Sequence, residues 1–342
     1  MELRKLHNSD DDIFIGFAES RIGGRPENQD SYGFMETELG FLVTVCDGMG
    51  GGPGGKTAST IAVNEILAGV DEASKDEEIA NILIKAVRRA NMAVLEAASL
   101  DPALKGMGCT ATVFLISEKS AFLAYVGDSR IYQMRGKRKV FRTFDHSMVF
   151  DLVRQKVISE EQARLSAQSN VITRAIGIKP DLEVDVIERP YEKGDRFILC
   201  TDGIHGIMPE KELLKLLGNR KVALGAVVDD IATYVDNMGR NNGGKHDNLT
   251  IAIVETKINS KLRETMSKQV RLTLLILAII CLISIVMNII QANSGQTSIA
   301  TPASDTTVVQ KLDSFKKVVK EQQDSIHKLN SVMKKQNTEI KK

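Results

Sequence analysis

The chain has 342 residues, of which 43% are hydrophobic and 26% charged. That balance is globular and excludes a chain disordered throughout, and the length leaves room for one large domain or two. A net charge of +1 excludes a nucleic-acid binder driven by bulk charge, although the total hides a mildly acidic stretch up to Arg271 and a basic tail beyond it.

The first residues, MELRKLHNSDDD, lack the apolar run of a signal peptide and read as an N-terminal extension, 1–12. Strand-like runs follow at 13–18, 41–46, 110–116, 121–126, 196–200 and 249–255. Helical periodicity appears at 56–70, 77–99, 210–217 and 222–238. The stretch AFLAYVGDSRIYQMRGKRKVFR reads as hairpins, one turning at Gly136. Helices sit between blocks of strands instead of alternating with every strand. The spacing therefore predicts one domain over 13–256, of the α+β class, with packed antiparallel sheets flanked by helices.

A basic juxtamembrane linker is expected at 257–271. From 272 to 290 the chain reads LTLLILAIICLISIVMNII without a charge. As a helix it would span about 28 Å, close to the hydrocarbon thickness of a bilayer. It is the expected transmembrane helix, the alternative being a buried core helix. Lys257, Lys261, Arg263, Lys268 and Arg271 crowd its N-terminal flank, and no Lys or Arg follows until Lys311. That asymmetry predicts a single-pass protein of the cell membrane, with the 13–256 domain cytoplasmic and the tail outside. A polar linker, 291–307, leads to an amphipathic helical tail, 308–342. There Val308, Leu312, Phe315, Val319, Gln322, Ile326, Leu329 and Met333 form a coiled-coil-like seam with a polar residue at one d position. The seam suggests self-association or an envelope partner, unless the tail is a loose stalk.

Cys46, Cys109, Cys200 and Cys281 form no CxxC or Cys/His pair, which argues for reduced, buried thiols and against a zinc site. No Cys-x5-Arg nucleophile loop is present. The chemistry gathers instead at strand ends. FLVTVC ends in Asp47-Gly48, RFILCT in Asp202-Gly203 and AFLAYVG in Asp128, while Asp247-Asn248 precedes LTIAIV. Each such Asp, taken singly, is an ordinary turn residue. Together they offer hard oxygen ligands suited to Mg2+ or Mn2+. Asp47, Asp202 and Asp247 would carry three negative charges against the four positive charges of two divalent ions. The surplus would attract a phosphate, and a bridging water would lose its proton near neutral pH. Arg25 could hold that phosphate as a fork, or be a surface arginine.

The ordered set is Arg25-x-x-Asn28-Gln29-Asp30, Asp47-Gly48-Met49-Gly50-Gly51, Gly108-Cys109-Thr110-Ala111, Gly127-Asp128-Ser129-Arg130, Asp145-His146-Ser147, Thr201-Asp202-Gly203 and Asp247-Asn248. Over about residues 13–256 this closely resembles the metal-dependent serine/threonine protein phosphatases of the phosphatase 2C type, in their bacterial form. The resemblance implies a four-layer α-β-β-α sandwich and hydrolysis of phosphoserine and phosphothreonine by a hydroxide bridging two metals. It also implies opposition to a cytoplasmic Ser/Thr kinase, with that kinase and its phosphoprotein substrates as partners. By the same resemblance Asp47 bridges two Mn2+ or Mg2+ ions, Gly48 supplies a carbonyl to one, and Asp202 and Asp247 bind the other. Asp128 with Asp202 matches a weaker third metal site. Asp30 and Gln29 hold waters, Asn248 stands beside the ligands and Arg25 matches the phosphate-binding arginine. Residues 147–180, with Asn170 to Gly177, match the flap beside the site.

Departures are visible. Gln29 stands where Glu is common, Met49 where animal relatives have a proposed acid, and Ser166-Ala167 where His-Pro is often seen. The general acid is therefore unassigned. His205 reads as a packed or surface side chain. Residues 50–57, GGGPGGKT, also fit a P-loop, which keeps an NTPase as a rival. A non-catalytic membrane scaffold is a second rival. A third, within the enzyme class, is a phosphatase dedicated to one regulatory protein, such as an anti-sigma-factor antagonist.

Overall fold

The structure is a computed structural model, and it describes residues 3–6, 13–50, 54–166, 168 and 171–294. Strands β1 (Arg4–Lys5) and β2 (Phe14–Arg21) open the chain, followed by β3 (Ser31–Thr37), β4 (Gly40–Cys46) and the short β5 (Gly48–Met49). Helices α1 (Gly54–Asp71) and α2 (Ile79–Leu100) come next. Then follow β6 (Gly108–Cys109), β7 (Ala111–Ile116), β8 (Ala121–Val126), β9 (Arg130–Arg135) and β10 (Arg138–Arg142). Short helices α3 (Met148–Arg154) and α4 (Glu160–Arg164) precede β11 (Asp185–Arg189) and β12 (Asp195–Cys200). Helices α5 (Asp202–His205), α6 (Glu210–Leu217) and α7 (Leu224–Asn241) lead to β13 (Leu249–Thr256) and finally α8 (Lys261–Ser294).

Two sheets result, in the orders β1-β2-β13-β12-β9-β10 and β11-β8-β7-β4-β3, with a small β5-β6 ladder beside them. Their ladders are antiparallel. Apolar side chains face both ways along the central strands, because each sheet is covered on both sides. In β4, Phe41, Val43 and Val45 point into the space between the sheets, where Phe114, Phe197, Leu199 and Val254 meet them. The alternate residues Leu42 and Cys46 pack against α1 and α2 through Ala58, Ile66, Leu83 and Val87. On the other sheet, Ile198, Cys200 and Ile251 pack against Leu213, Val228 and Ile231 of α6 and α7. Each large side chain so buried contributes about 1.5–3 kcal/mol. The layers are those of the expected α-β-β-α sandwich.

The strand runs and long helices appear where periodicity places them, within a few residues. Sequence reading did not resolve β1, β3, β11, α3, α4 or α5. The first of these draws part of the expected 1–12 extension into the sheet, where Arg4 pairs with Ala18 and Lys5 with Phe17. Strand β3 lies at a sheet edge with mostly half-exposed residues, so it lacks a continuous apolar run.

The chain divides into two units at Leu272/Thr273. Residues 261–271, expected as a linker, are helical. The segment KLRETMSKQVR is made largely of good helix formers, and Ser260 Oγ accepts the Arg263 N–H at 3.1 Å as an N-cap. The described helix is therefore longer than the apolar run that predicted it. Residues 261–287 have a mean hydropathy of 2.8 over their most apolar window, with none of it buried. Among the described residues this is the one helix long and apolar enough to cross a membrane. The seam from Val308 to Met333 and residues 295–307 of the polar linker lie outside the described residues.

Candidate active site

One end of the sandwich collects the strand-end residues. Asp47 follows β4. Its N–H donates to Thr110 Oγ1 at 3.0 Å, and its carbonyl accepts the Thr110 N–H at 2.9 Å. This locks the residue against the neighbouring strand. Gly48 must be glycine: a Cβ there would lie 2.2 Å from the Gly55 carbonyl oxygen and 2.5 Å from that of Gln29. Asp202 opens α5 directly after β12 and shares a hydrogen bond with Asp47. Asp128 ends the β8 run and is 7% exposed.

Asp30 is nearly fully buried. Its Oδ2 accepts from Thr250 Oγ1 at 2.7 Å and Thr201 Oγ1 at 3.0 Å, while its Oδ1 is buried without a hydrogen-bond partner. Asp247 Oδ2 accepts from Arg25 Nη2 at 2.7 Å. Asn248 stitches the 22–29 loop to β13. Its Oδ1 accepts the Gln29 N–H at 2.9 Å, and its Nδ2 donates to the carbonyls of Ile22 (2.8 Å) and Glu27 (2.9 Å). Gln29 in turn offers its carbonyl to Ser59 Oγ at 2.6 Å.

The carboxylates disturb one another. Burial pushes Asp30 up to about 7, against the pull of Thr250 and Thr201, and Asp202 and Asp247 add to the rise. Burial and the charge of Asp247 push Asp202 up to about 6. Asp47 is raised well above the usual range by burial, then by Asp202, Asp30, Asp128 and Asp247. Asp128 rises for the same reasons, burial first and Asp202 second. Among the described residues no three His, Cys, Asp or Glu side chains close into a ready-made cation cage, and Asp247 is engaged with Arg25. The chemistry of the donors nonetheless fits a hard divalent cation. All are carboxylate or carbonyl oxygens, they repel one another, and one buried oxygen has no partner.

Three threonines, Lys56 and two histidines support this end of the fold, and sequence reading gave none of them a role. Lys56 Nζ donates to the Asp30 carbonyl at 2.8 Å and to Ser31 Oγ at 3.0 Å. It thus serves the 29–31 loop, and the antiparallel sheets leave no βαβ setting for a P-loop. His205 is buried, as one of its two expected placements had it, and its ring reaches the Asp128 carbonyl. Met49 sits in β5 paired with Gly108. Within the expected flap Ser147 bridges Ile172, and Ile176 bridges Cys109. Gly51, Ala167 and Asn170 lie outside the described residues.

This architecture, with acidic residues from both sheets at one end, defines a class of metal-dependent phosphoester hydrolases. Comparison with known proteins gives the family. The sequence model for protein phosphatase 2C matches residues 19–243. A serine/threonine phosphatase, stp, of Listeria monocytogenes is 32% identical over 244 residues, covering 70% of this chain and 94% of that protein. Protein phosphatase PhpP of Streptococcus pneumoniae is 30% identical over 233 residues, 67% and 92% respectively. Among solved structures, Stp1 of Staphylococcus aureus superposes with a TM-score of 0.66 at 26% identity, over 75% of this chain and all of that one. The catalytic domain of PstP, solved with two manganese ions, gives 0.57 at 28% identity, over 71% of this chain and 98% of that one. The chain belongs to the protein phosphatase 2C family and is a serine/threonine phosphatase of that type.

Proposed function

We propose that the Asp47–Asp202 end of the sandwich hydrolyses phosphoserine and phosphothreonine in proteins by direct attack of water, opposing a cytoplasmic Ser/Thr kinase. One observation carries this reading: four mutually repelling carboxylates from two sheets, Asp30 and Asp128 buried and Asp47 and Asp202 half-buried, converge beside an arginine. Asp47, the Gly48 carbonyl, Asp202 and Asp247 would hold two divalent ions, Mn2+ or Mg2+, and Asp128 with Asp202 a weaker third. When bound, such ions neutralise the cluster and make water a competent nucleophile near pH 7. The chain's own groups do the rest. Asp30, fixed by Thr201 and Thr250, keeps its free Oδ1 as an acceptor for water. Gln29, in the same loop, is the second residue assigned to hold water. Asn248 holds the loop that carries Arg25. Arg25 would exchange Asp247 for the substrate phosphate, which accepts its planar fork in two hydrogen bonds.

The cysteines offer no covalent route. Cys46, Cys109 and Cys200 of the sandwich are buried, and burial pushes the Cys200 thiol up to about 12; Cys281, expected to be buried as well, is exposed because it lies in the uncovered apolar helix. A single-turnover experiment in 18O-labelled water tests direct attack. One solvent oxygen should enter each phosphate, with no phosphate left on the denatured protein. A trapped phosphoprotein intermediate would refute it.

We also read the helix within 261–294 as a single membrane anchor, because it is apolar and exposed with a basic N-terminal flank. The catalytic domain then lies on the cytoplasmic side with its kinase and phosphoprotein partners, and residues 308–342 lie outside, free for self-association or an envelope partner.

A further inference from the structure

Two buried histidines remain unused by this chemistry, and both hold the turn that carries Asp128. His146 accepts the Gly127 N–H on Nδ1 at 3.1 Å, and its Nε2–H donates to Asp185 Oδ2 at 3.2 Å. The His146 N–H also donates to the Gly127 carbonyl at 2.9 Å. Gly127 itself has φ +102°, and a Cβ there would lie 2.6 Å from the Thr110 methyl. The turn is thus fixed on its N-terminal side by the entry to the flap.

His205 holds the other side. It is 8% exposed, and its Nε2–H donates to the Asp128 carbonyl at 3.1 Å. It stands three residues after Asp202 in α5, so the two side chains project from the same face of that turn. Asp128, Asp202 and His205 line one cleft of about 370 Å³, which Phe150 and Arg164 also border. His205 therefore joins the element carrying Asp202 directly to the turn carrying Asp128.

We propose that His205 is a positioning residue that sets the Asp128 carboxylate against Asp202 and so governs the weaker cation site these two would form. The proposal rests on the reading of Asp128 as a cation ligand. An imidazole is suited to the task because it spans from helix to turn with a rigid ring and a single donor. Its removal leaves a buried carbonyl without a partner and frees the turn to shift. Groups that orient metal ligands typically change affinity by about 10–100-fold when lost.

The test is Mn2+ binding by calorimetry on the full chain in detergent, for His205→Leu and His205→Gln, each alone and with Asp128→Asn. Leucine removes the donor, whereas glutamine returns an amide N–H near the Nε2 position. We expect His205→Leu to weaken the weakest Mn2+ binding step by on the order of 10-fold and His205→Gln to recover most of it. In the Asp128→Asn background His205→Leu should have no further effect. Thermal melting without cation checks that each variant folds, and His205→Asn, too short to reach the carbonyl, replaces a leucine variant that does not. A loss that persists undiminished in the Asp128→Asn background would overturn the proposal, as would unchanged binding by a folded His205→Leu or His205→Asn when Asp128→Asn alone weakens it. Unchanged binding by Asp128→Asn alone would instead refute the assignment of Asp128, and the proposal with it.

Discussion

The carboxyls of Asp47 and Asp202 meet as hydrogen-bond partners although each hangs from a strand of a different sheet. Two carboxylates can share such a bond only if one keeps a proton, so this end of the protein is electrostatically frustrated without a compensating charge. The fold tolerates the arrangement because the Asp47 backbone is tied to Thr110 and Asp202 opens a helix packed under β13.

Asp47→Asn and Asp202→Asn should each lower turnover by at least about 10³-fold, since each would remove a proposed cation ligand and its charge. Neither should unfold the protein. With cation stripped at pH 7.5, each variant should melt no lower than the wild type, because an amide N–H can donate the shared hydrogen bond without a retained proton. Melting curves with and without Mn2+ check both halves: the wild type should gain from the ion and the variants should gain little.

Metal-free stability should fall as pH rises. Asp30 titrates near 7 and Asp202 near 6 in the folded state, against an ordinary 3.8. The native state therefore retains protons that the unfolded chain has lost, and stability drops with pH across roughly pH 4 to 7. Denaturation in urea at pH 5 and pH 7.5 with chelator should show the higher midpoint at pH 5, and added Mn2+ should reverse the order.

Arg25→Ala should raise KM for a phosphothreonine peptide more than it lowers kcat, about 10-fold or more in KM. The side chain is half exposed and holds Asp247 from outside the buried cluster. Steady-state kinetics separate the two parameters.

Asn248→Ala should cost about 1–3 kcal/mol, because it strips the Gln29 N–H and the carbonyls of Ile22 and Glu27 of their partner. The 22–29 loop should become the first site of limited proteolysis, and KM should rise with it, since Arg25 rides on that loop.

Asp47 and Asp202 are legible because each stands with a following Gly at the end of a largely apolar run, a pattern that survives without knowledge of the fold. Their convergence was not legible. It depends on which strands of two sheets lie at the same end, information held in long-range pairings such as β12 with β9 and β4 with β7. Thr250 was invisible for another reason. A threonine in LTIAIV is an ordinary strand residue, and only burial beside Asp30 gives its hydroxyl a task. Periodicity places the first helix from 56, whereas α1 begins two residues earlier, at Gly54. The close approach of Gly48 and Gln29 explains why Gly55 stands within the helix. His205 left no trace in the periodicity, since a four-residue helix shows none.

The carboxylate cluster at Asp47 and Asp202, acting through a divalent cation, is the proposed seat of phosphate-ester hydrolysis. Phosphate release from a phosphothreonine peptide by the purified, metal-stripped full chain tests it most directly. Release should stop in excess chelator, return on adding Mn2+ or Mg2+, and not return for Asp202→Asn. Undiminished release in chelator, or wild-type rates from Asp202→Asn, would contradict it.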